Sequence, residues 1–424
     1  MINRIPLKDI LFSFSSQFSD KIIGYISIVL LIRYLAVDKM GAFFFAASIA
    51  MFAVMLTDFG AKNYLTREAA QHPDKALGHL ADVLSFRLPL CLVYLISLNG
   101  LMYLIRPNIS LITLLTSIYV AADELYYSFV GLFLGLKRIQ YHLVVTLISK
   151  LLLLGIIAVA TYHHWSMTAI LIGYVVINSL RIGMAYAITI RYIGRFHLVW
   201  NSTLYYTIPV QAFGFFMLAL FDLVHFKIDT VMLGFMQNYA VVSTYESSYK
   251  ILEASRFVIY PIGTIFFPLW SSMAASGRFD RIKRSGGLTA AGVGLLGIII
   301  AVTISSSAGI IIPLAFGSKY SEGIPLLRIL FVSLPMVYVG SVALELAKSI
   351  HAETKMLKVI LASAALNILL NLYFIPKWSA NGAAWSTVIS ETVFASLALV
   401  GTHREFNKTH RSPAVPSQED ISLT

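Results

Sequence analysis

Long apolar stretches alternate with short polar ones along the chain, in a pattern typical of membrane-spanning helices. A bilayer crossing needs roughly 20 such residues, and the pattern predicts about twelve helices in two groups of six. The first group lies at 10–36, 41–65, 80–105, 111–135, 143–161 and 167–190, and the second at 206–234, 242–272, 287–312, 324–347, 357–375 and 382–401.

The two groups predict two lobes. Residues 1–190 are expected to form the N-terminal six-helix lobe, and residues 206–402 the C-terminal one. Between them, 191–205 is basic and aromatic, as in an interfacial connector on the cytoplasmic side. The polar, non-periodic residues 403–424 predict a disordered cytoplasmic tail. The fold class expected is therefore an all-α polytopic membrane protein, with two lobes around a central cavity.

Composition supports a membrane protein. Hydrophobic residues make up 58% of the chain and charged residues 12%, whereas soluble domains carry about 25% charged residues. The single cysteine excludes an internal disulfide and a cysteine-based metal cluster. Histidines and carboxylates do not have the spacing of a metal site either. We expect no metal and no cofactor.

The basic residues predict the orientation of the chain. A formal charge of +11 would suggest nucleic acid as partner of a soluble protein, but here the charge falls mainly in short loops between apolar segments. With a cytoplasmic N-terminus, about 18 lysines and arginines lie in inner loops and about 4 in outer loops. Both termini are therefore predicted in the cytoplasm, and no nucleic acid is expected.

The stretch after the second predicted helix packs four charges into a short distance. Asp58, Lys62, Arg67 and Glu68 follow a run from 41 to 56 that has no charge at all. Asp58 and Lys62 stand four residues apart, so on a continuous helix they would share one face. They form either a simple ion pair at the water boundary or part of a functional site.

Many charges fall inside the apolar spans. Each costs about 2.5–3.5 kcal/mol at the centre of a helix exposed to lipid, so these side chains must pair or face water. The basic ones are Lys21, Arg33, Lys62, Arg87, Lys150, Arg181, Lys227, Lys250, Arg256 and Arg328. The acidic ones are Asp20, Asp58, Asp123, Glu124, Asp222, Asp229, Glu246, Glu253, Glu345 and Glu391.

Two predicted helices carry charge along one side. The first has Lys21 on a polar strip with Asp20 beside it, and the eighth has Glu246, Lys250, Glu253 and Arg256 at three- and four-residue steps. The charges of the eighth helix could simply neutralise each other. Alternatively, the two stripes line a hydrated, basic cavity that suits a phosphate or pyrophosphate. Acids left unpaired there could bind H+ or Na+ and couple transport to a gradient.

Several motifs resemble a known family. They are Asp58-Phe59-Gly60 through Thr66-Arg67-Glu68, Ile228 to Gly234, Tyr245 to Leu252, Phe316-Gly317 with Tyr320, and Asn371-Leu372 followed by Ile375-Pro376 and Asn381 to Ala384. In this order and spacing, they resemble the Wzx-type polysaccharide and oligosaccharide (O-antigen) flippases. Those belong to the multidrug, oligosaccharidyl-lipid and polysaccharide exporter superfamily.

The resemblance implies alternating access and no enzymatic activity. The implied cargo is a polyprenyl-pyrophosphate-linked oligosaccharide unit, moved from the cytoplasmic to the periplasmic leaflet of the inner membrane for cell-surface polysaccharides such as lipopolysaccharide O-antigen or exopolysaccharide. Implied partners are membrane lipid, a polymerase and chain-length machinery. From their placement on the spans, we expect Lys21, Lys62, Arg67, Lys250 and Arg256 to bind the headgroup. Asp20, Asp58 and Glu253 are candidates for ion coupling.

Three other classes fit less well. A cation-coupled multidrug extruder of the same fold would need an acidic cavity, because its ligands are usually cationic. A polysaccharide polymerase or ligase would need a large outer loop, and the loops here are short. A structural membrane protein would have no use for so many charges inside its spans.

Overall fold

A computed structural model describes the backbone of residues 7–409. It describes the side chains of residues 21–406, except 218, 222, 260, 261, 264, 353 and 354. Within this range the chain is helical and contains no strand. The helices are α1 (Leu7–Tyr34), α2 (Val37–Asp58), α3 (Ala61–Gln71), α4 (Ala76–Ile105), α5 (Ser110–Gly135), α6 (Ile139–Tyr162), α7 (Met167–Tyr192), α8 (Leu204–Met236), α9 (Tyr239–Ser255), α10 (Tyr260–Ala275), α11 (Phe279–Phe316), α12 (Gly323–Val332), α13 (Leu334–Ser349) and α14 (Glu353–Thr409).

The number of crossings agrees with the sequence pattern. Among the described residues, 8 helices are long and apolar enough to cross a membrane, or 9 with the bent α8. The long α14 is a hairpin, because Ser379 is non-helical (φ 52°, ψ −133°) and the side chain of Asn367 donates to that of Ser390 at 3.2 Å. Counting both limbs of α14, together with α1 and the short pair α9 and α10, brings the number to about twelve. The predicted all-α polytopic fold is confirmed.

The chain forms two compact units. The first contains the described residues up to Ser243, and the second begins at Thr244. In the first unit α5 is central, since α2, α3, α4 and α7 all pack against it, while α1 packs on α6. Its core is rich in aromatic side chains, among them the fully buried Tyr126 and Phe133. The lobe boundary at 191–205 stays a prediction.

The second unit is built around α13. Helices α10, α11 and α14 pack against α13, and Trp270, Ile282 and Val342 form a buried apolar cluster there. The indole of Trp270 also donates a hydrogen bond to Ser285 at 2.6 Å. Helix α14 continues to Thr409, so residues 403–409, predicted as the start of a disordered tail, are helical. Residues 410–424 lie outside the described range.

Two predicted spans are interrupted. The segment 41–65 was expected to be one helix, but α2 ends at Asp58 and α3 begins at Ala61. Phe59 and Gly60 between them are left-handed, with φ of 46° and 79°. The segment 242–272 is likewise divided between α9 and α10 by a short 3-10 turn at Arg256–Ile259. Both breaks place charged side chains at helix ends, where the backbone changes direction.

Candidate functional site

The break after α2 determines the contacts of the Asp58 carboxylate. Its carboxylate accepts hydrogen bonds from the backbone N–H groups of Gly60 at 3.1 Å and Lys62 at 3.3 Å, so it caps the start of α3. The same carboxylate forms an ion pair with Arg87 at 3.0 Å. The prediction that Asp58 and Lys62 share one face of a continuous helix is therefore wrong. Their four-residue spacing reflects a cap across a break in the helix.

A buried arginine lies between two carboxylates in the first unit. The Arg87 side chain on α4 is fully buried, and its guanidinium contacts Asp58 at 3.0 Å and Glu124 of α5 at 3.3 Å. It also donates to the hydroxyl of Ser128 at 2.8 Å. The two carboxylates are partly exposed, at 19% and 33%. The arginine is thus fully buried beside two acids that are only partly buried.

A second arginine pairs with the neighbouring acid on α5. Arg181 of α7 is 2% exposed and forms an ion pair with Asp123. Its guanidinium carbon lies 3.9 Å from the centre of the Tyr126 ring, and Nη2 donates to Thr146 at 3.4 Å. Asp123 and Arg181 line a small cavity of about 70 Å³ together with Lys150. The adjacent acids Asp123 and Glu124 thus belong to two ion pairs within the same unit.

Lys62 differs from the other basic candidates because its charge is uncommitted. Its ammonium lies 4.7 Å from the centre of the Tyr127 ring, a cation–π distance. Within the described part of the chain, no carboxylate forms an ion pair with it. A lysine beside these buried networks, held by an aromatic face, can accept an anion without first breaking a salt bridge.

The remaining candidates of the first unit lie elsewhere. Arg67 is exposed on α3 and pairs with the neighbouring Glu68 at 3.0 Å. Lys21 is exposed on α1, the helix that packs on α6. The side chain of Asp20 lies outside the described residues. The structure thus brings Asp58 into an ionic network and Lys62 beside Tyr127, while Lys21 and Arg67 occupy exposed positions.

The charged stripe of the second unit connects two helices. Lys250 pairs with Glu253 along the same stretch at 2.6 Å, as intrahelical neutralisation would require. Arg256, however, pairs with Glu391 of α14 at 2.7 Å, and the Glu391 side chain is only 4% exposed. The stripe therefore does more than neutralise itself, because its last cation joins the turn after α9 to the second limb of α14.

A polar ladder continues from this ion pair through α14. Asn371 donates to Asn367 at 2.9 Å, and Asn367 donates to Ser390, next to Glu391. The hydroxyl of Tyr245 on α9 lies 3.2 Å from that of Thr387 on α14. The interior of the second unit is thus held by buried hydrogen bonds between helices, which a transmembrane unit needs because lipid offers no alternative partners.

Sequence reasoning had found these charges but had not singled out five of them as site residues: Arg87, Asp123, Glu124, Arg181 and Glu391. The signal that could have found them is the adjacent acid pair on α5. Two neighbouring carboxylates inside an apolar span must pair or face water, and the apolar spans hold few arginines that could pair with them. This signal points to Arg87 and Arg181 but not to Glu391.

Solved structures of transporters share this fold. The lipid II flippase MurJ in an inward closed conformation matches with a TM-score of 0.73 and 17% identity, over 94% of this chain and 90% of MurJ. An inward-facing multidrug resistance MATE family transporter of the MOP superfamily matches with a TM-score of 0.65 and 13% identity, over 96% of both chains. At these identities the likeness concerns the fold alone.

Sequence comparison identifies the family. A probable flippase, AglR, of Haloferax volcanii is 27% identical over 183 residues, which are 41% of this chain and 37% of that relative. The matched part thus spans well under half of the relative's length. The model of the polysaccharide biosynthesis protein family matches residues 7–274, more than half of the chain. The resemblance to polysaccharide flippases is thereby confirmed, and the chain belongs to the polysaccharide biosynthesis protein family.

Proposed function

We propose that this protein is a flippase that moves a polyprenyl-pyrophosphate-linked oligosaccharide unit from the cytoplasmic to the periplasmic leaflet. Membership of the polysaccharide biosynthesis family and a fold shared with transporters support this function. The observation that carries it is the uncommitted Lys62 beside the Asp58–Arg87–Glu124 network. In a transporter fold, such a cation is a ready partner for a pyrophosphate.

The physical need for such a protein follows from the cargo. A sugar headgroup loses hydrogen bonds for each hydroxyl taken into hydrocarbon, so it requires a polar path. The pyrophosphate adds negative charge, which lysine binds as a point charge and arginine as a fork. The lipid tail needs no protein cavity, since it can remain in the bilayer while the headgroup passes.

The other basic candidates have defined roles within this proposal. Arg67, exposed on α3, and Lys21, exposed on α1, would attract the headgroup. Lys250 and Arg256 are already paired with Glu253 and Glu391, so binding cargo there requires exchanging a carboxylate for a phosphate.

Such exchange is the step at which ion coupling would occur. Asp58, Asp20 and Glu253 are the candidates, because a carboxylate that loses its cation to the cargo becomes free to take up H+ or Na+. The Asp58 side chain is only partly buried, with 19% of its surface exposed.

The orientation and setting complete the proposal. We place the protein in the cytoplasmic (inner) membrane with both termini in the cytoplasm, following the distribution of lysine and arginine in short loops. The flipped unit would then serve lipopolysaccharide, O-antigen or exopolysaccharide assembly, with a polymerase and chain-length machinery as partners. The protein itself performs no bond chemistry and works as a transporter.

The test is the accumulation of lipid-linked oligosaccharide in cells that lack the protein, complemented with variants. Removing the Lys62 ammonium with Lys62→Met should lower the flipping rate about 10- to 100-fold, the loss expected for one hydrogen bond to a charged group. Flipping is measured by access of an external glycosidase to the oligosaccharide. The control is Lys75→Met, which removes an exposed lysine outside both ionic clusters.

Two results would contradict the proposal. Cells without the protein and without any redundant flippase could still present the oligosaccharide on the outer leaflet. Equally, Lys62→Met could flip as fast as the wild type at equal abundance in the membrane. If only susceptibility to cationic drugs changes in the deletion strain, the protein is an extruder of the same fold.

A further inference from the structure

A groove of about 450 Å³ opens between α11 and α14 in the second unit. Both helices pack on α13, and Leu346 of α13 lines the groove between them. Its volume lies in the range of ligand-binding pockets, about 300–1,000 Å³. It belongs to neither of the charged networks described above, so a ligand here would be distinct from the cargo.

The groove has a charged end and an apolar end. Lys283 near the start of α11 lies at the same end as His403 and Arg404 near the end of α14. One to two turns deeper, the lining consists of Gly287 and Ala290 on α11 and of Leu399 on α14. From Lys283 to Ala290, an α-helix rises about 10 Å. This polarity is that of a phospholipid, with a headgroup at the interface and an acyl chain further in.

The cations at the charged end are uncommitted. Among the described residues, neither Lys283 nor Arg404 forms an ion pair. Glu405, the carboxylate adjacent to Arg404, forms one with Lys355 instead. The charged end therefore carries a lysine and an arginine that form no ion pair with any described residue, which favours an anionic headgroup over a zwitterionic one.

The deeper part of the groove is open because of a glycine. A Cβ on Gly287 would meet no atom within 4 Å, whereas one on its neighbour Gly286 would lie 2.7 Å from the Leu346 side chain. Gly286 thus serves helix packing, and Gly287 leaves space for an acyl chain. Leu399 and Val400 on the opposite wall are 40% and 49% exposed, so apolar surface is available to the chain.

We propose that this groove binds one anionic phospholipid, with the phosphate between Lys283 and Arg404 and an acyl chain over Gly287. Basic pockets between transmembrane helices on the cytoplasmic side are suited to anionic headgroups. In the orientation proposed above, this end of the helices faces the cytoplasmic leaflet. The site is independent of the proposed transport function.

The test is native mass spectrometry of the full-length protein, comparing retention of phosphatidylglycerol with that of phosphatidylcholine of the same acyl chains. The wild type should prefer phosphatidylglycerol. Each lysine or arginine near the surface contributes a factor of about five to binding of an anionic lipid, so Lys283→Gln with Arg404→Gln should lower its retention by about 25-fold. Gly287→Leu should lower the retention of both lipids, because it fills the space for the chain.

Two matched variants on α11 serve as controls. Arg284→Gln removes an exposed charge adjacent to Lys283 but outside the groove, and Gly292→Leu adds the same side chain at another open glycine. Both should keep the wild-type preference. Equal retention of the two lipids by the wild type, or an unchanged preference in the double variant, would overturn the proposal. So would displacement of phosphatidylglycerol by inorganic phosphate alone, since the site would then bind a free anion.

The outcome is separable from the test of transport. Lipid retention is measured on purified protein and requires no flipping, whereas Lys62→Met is judged by flipping alone. Failure of one proposal therefore leaves the other standing.

Discussion

Replacing Arg87 with methionine is expected to lower the free energy of unfolding by about 3–5 kcal/mol. The guanidinium is fully buried and lies between Asp58 and Glu124. Its removal leaves two carboxylates facing each other without a cation, and it also removes the donor to Ser128. The free energy of unfolding is measured on the purified protein in mixed micelles, as the fraction of a denaturing detergent is raised.

The comparison variant for Arg87 is Arg67→Gln. Arg67 is 40% exposed and pairs with an adjacent glutamate, so its loss should cost less than about 1 kcal/mol. Neutralising both acids, with Asp58→Asn and Glu124→Gln added to Arg87→Met, should recover part of the lost stability, because no unpaired charge remains. If Arg87→Met is as stable as the wild type, the network does not hold α2, α4 and α5 together.

Replacing Gly60 with alanine is expected to destabilise the protein by about 2–5 kcal/mol. The left-handed conformation at φ 79° costs an alanine about 1–2 kcal/mol. The new Cβ would also lie 2.7 Å from the carbonyl oxygen of Ala212 in α8, and such crowding costs about 1–3 kcal/mol. To relieve it, α3 must move away from α8, which disturbs the cap that Asp58 provides.

Gly78→Ala is the matched control for Gly60→Ala. Gly78 is exposed in α4, and a Cβ there would meet no atom within 4 Å. Since alanine is the better helix former, Gly78→Ala should stabilise the protein by about 0.5–1 kcal/mol. The two substitutions should therefore shift the melting temperature in opposite directions. A shift in the same direction for both would show that the turn at Gly60 tolerates a side chain.

The sequence was enough to predict the helices but not their breaks. Apolar length alone specifies a span, since lipid forces backbone groups to bond within a helix. The interruption at Phe59 depends instead on a distant contact, because the Phe59 ring stacks on Phe216 of α8 with centroids 4.0 Å apart. A single glycine at the end of an apolar run does not by itself predict such a turn.

The candidate site was predicted only in part, again because contacts between distant segments cannot be read from the sequence. The free-energy cost of burying a charge in lipid shows which side chains need a partner or water. Asp58, Lys62, Lys250 and Arg256 were found in this way. Partners follow from the packing of helices that are far apart in sequence, as when Arg256 reaches Glu391, 135 positions later. Only the structure distinguishes an arginine committed to a carboxylate from a lysine such as Lys62.

The environment of the single cysteine makes the protein well suited to site-directed labelling. Cys91 is 5% exposed in α4, and its thiol lies 3.7 Å from the hydroxyl of Thr57. A maleimide added to intact cells should therefore label Cys91 of this protein hardly at all. Cysteines introduced at exposed Lys377, in the turn of α14, and at exposed Lys137, between α5 and α6, would test the proposed orientation without prior removal of Cys91, since that orientation places the first outside and the second in the cytoplasm.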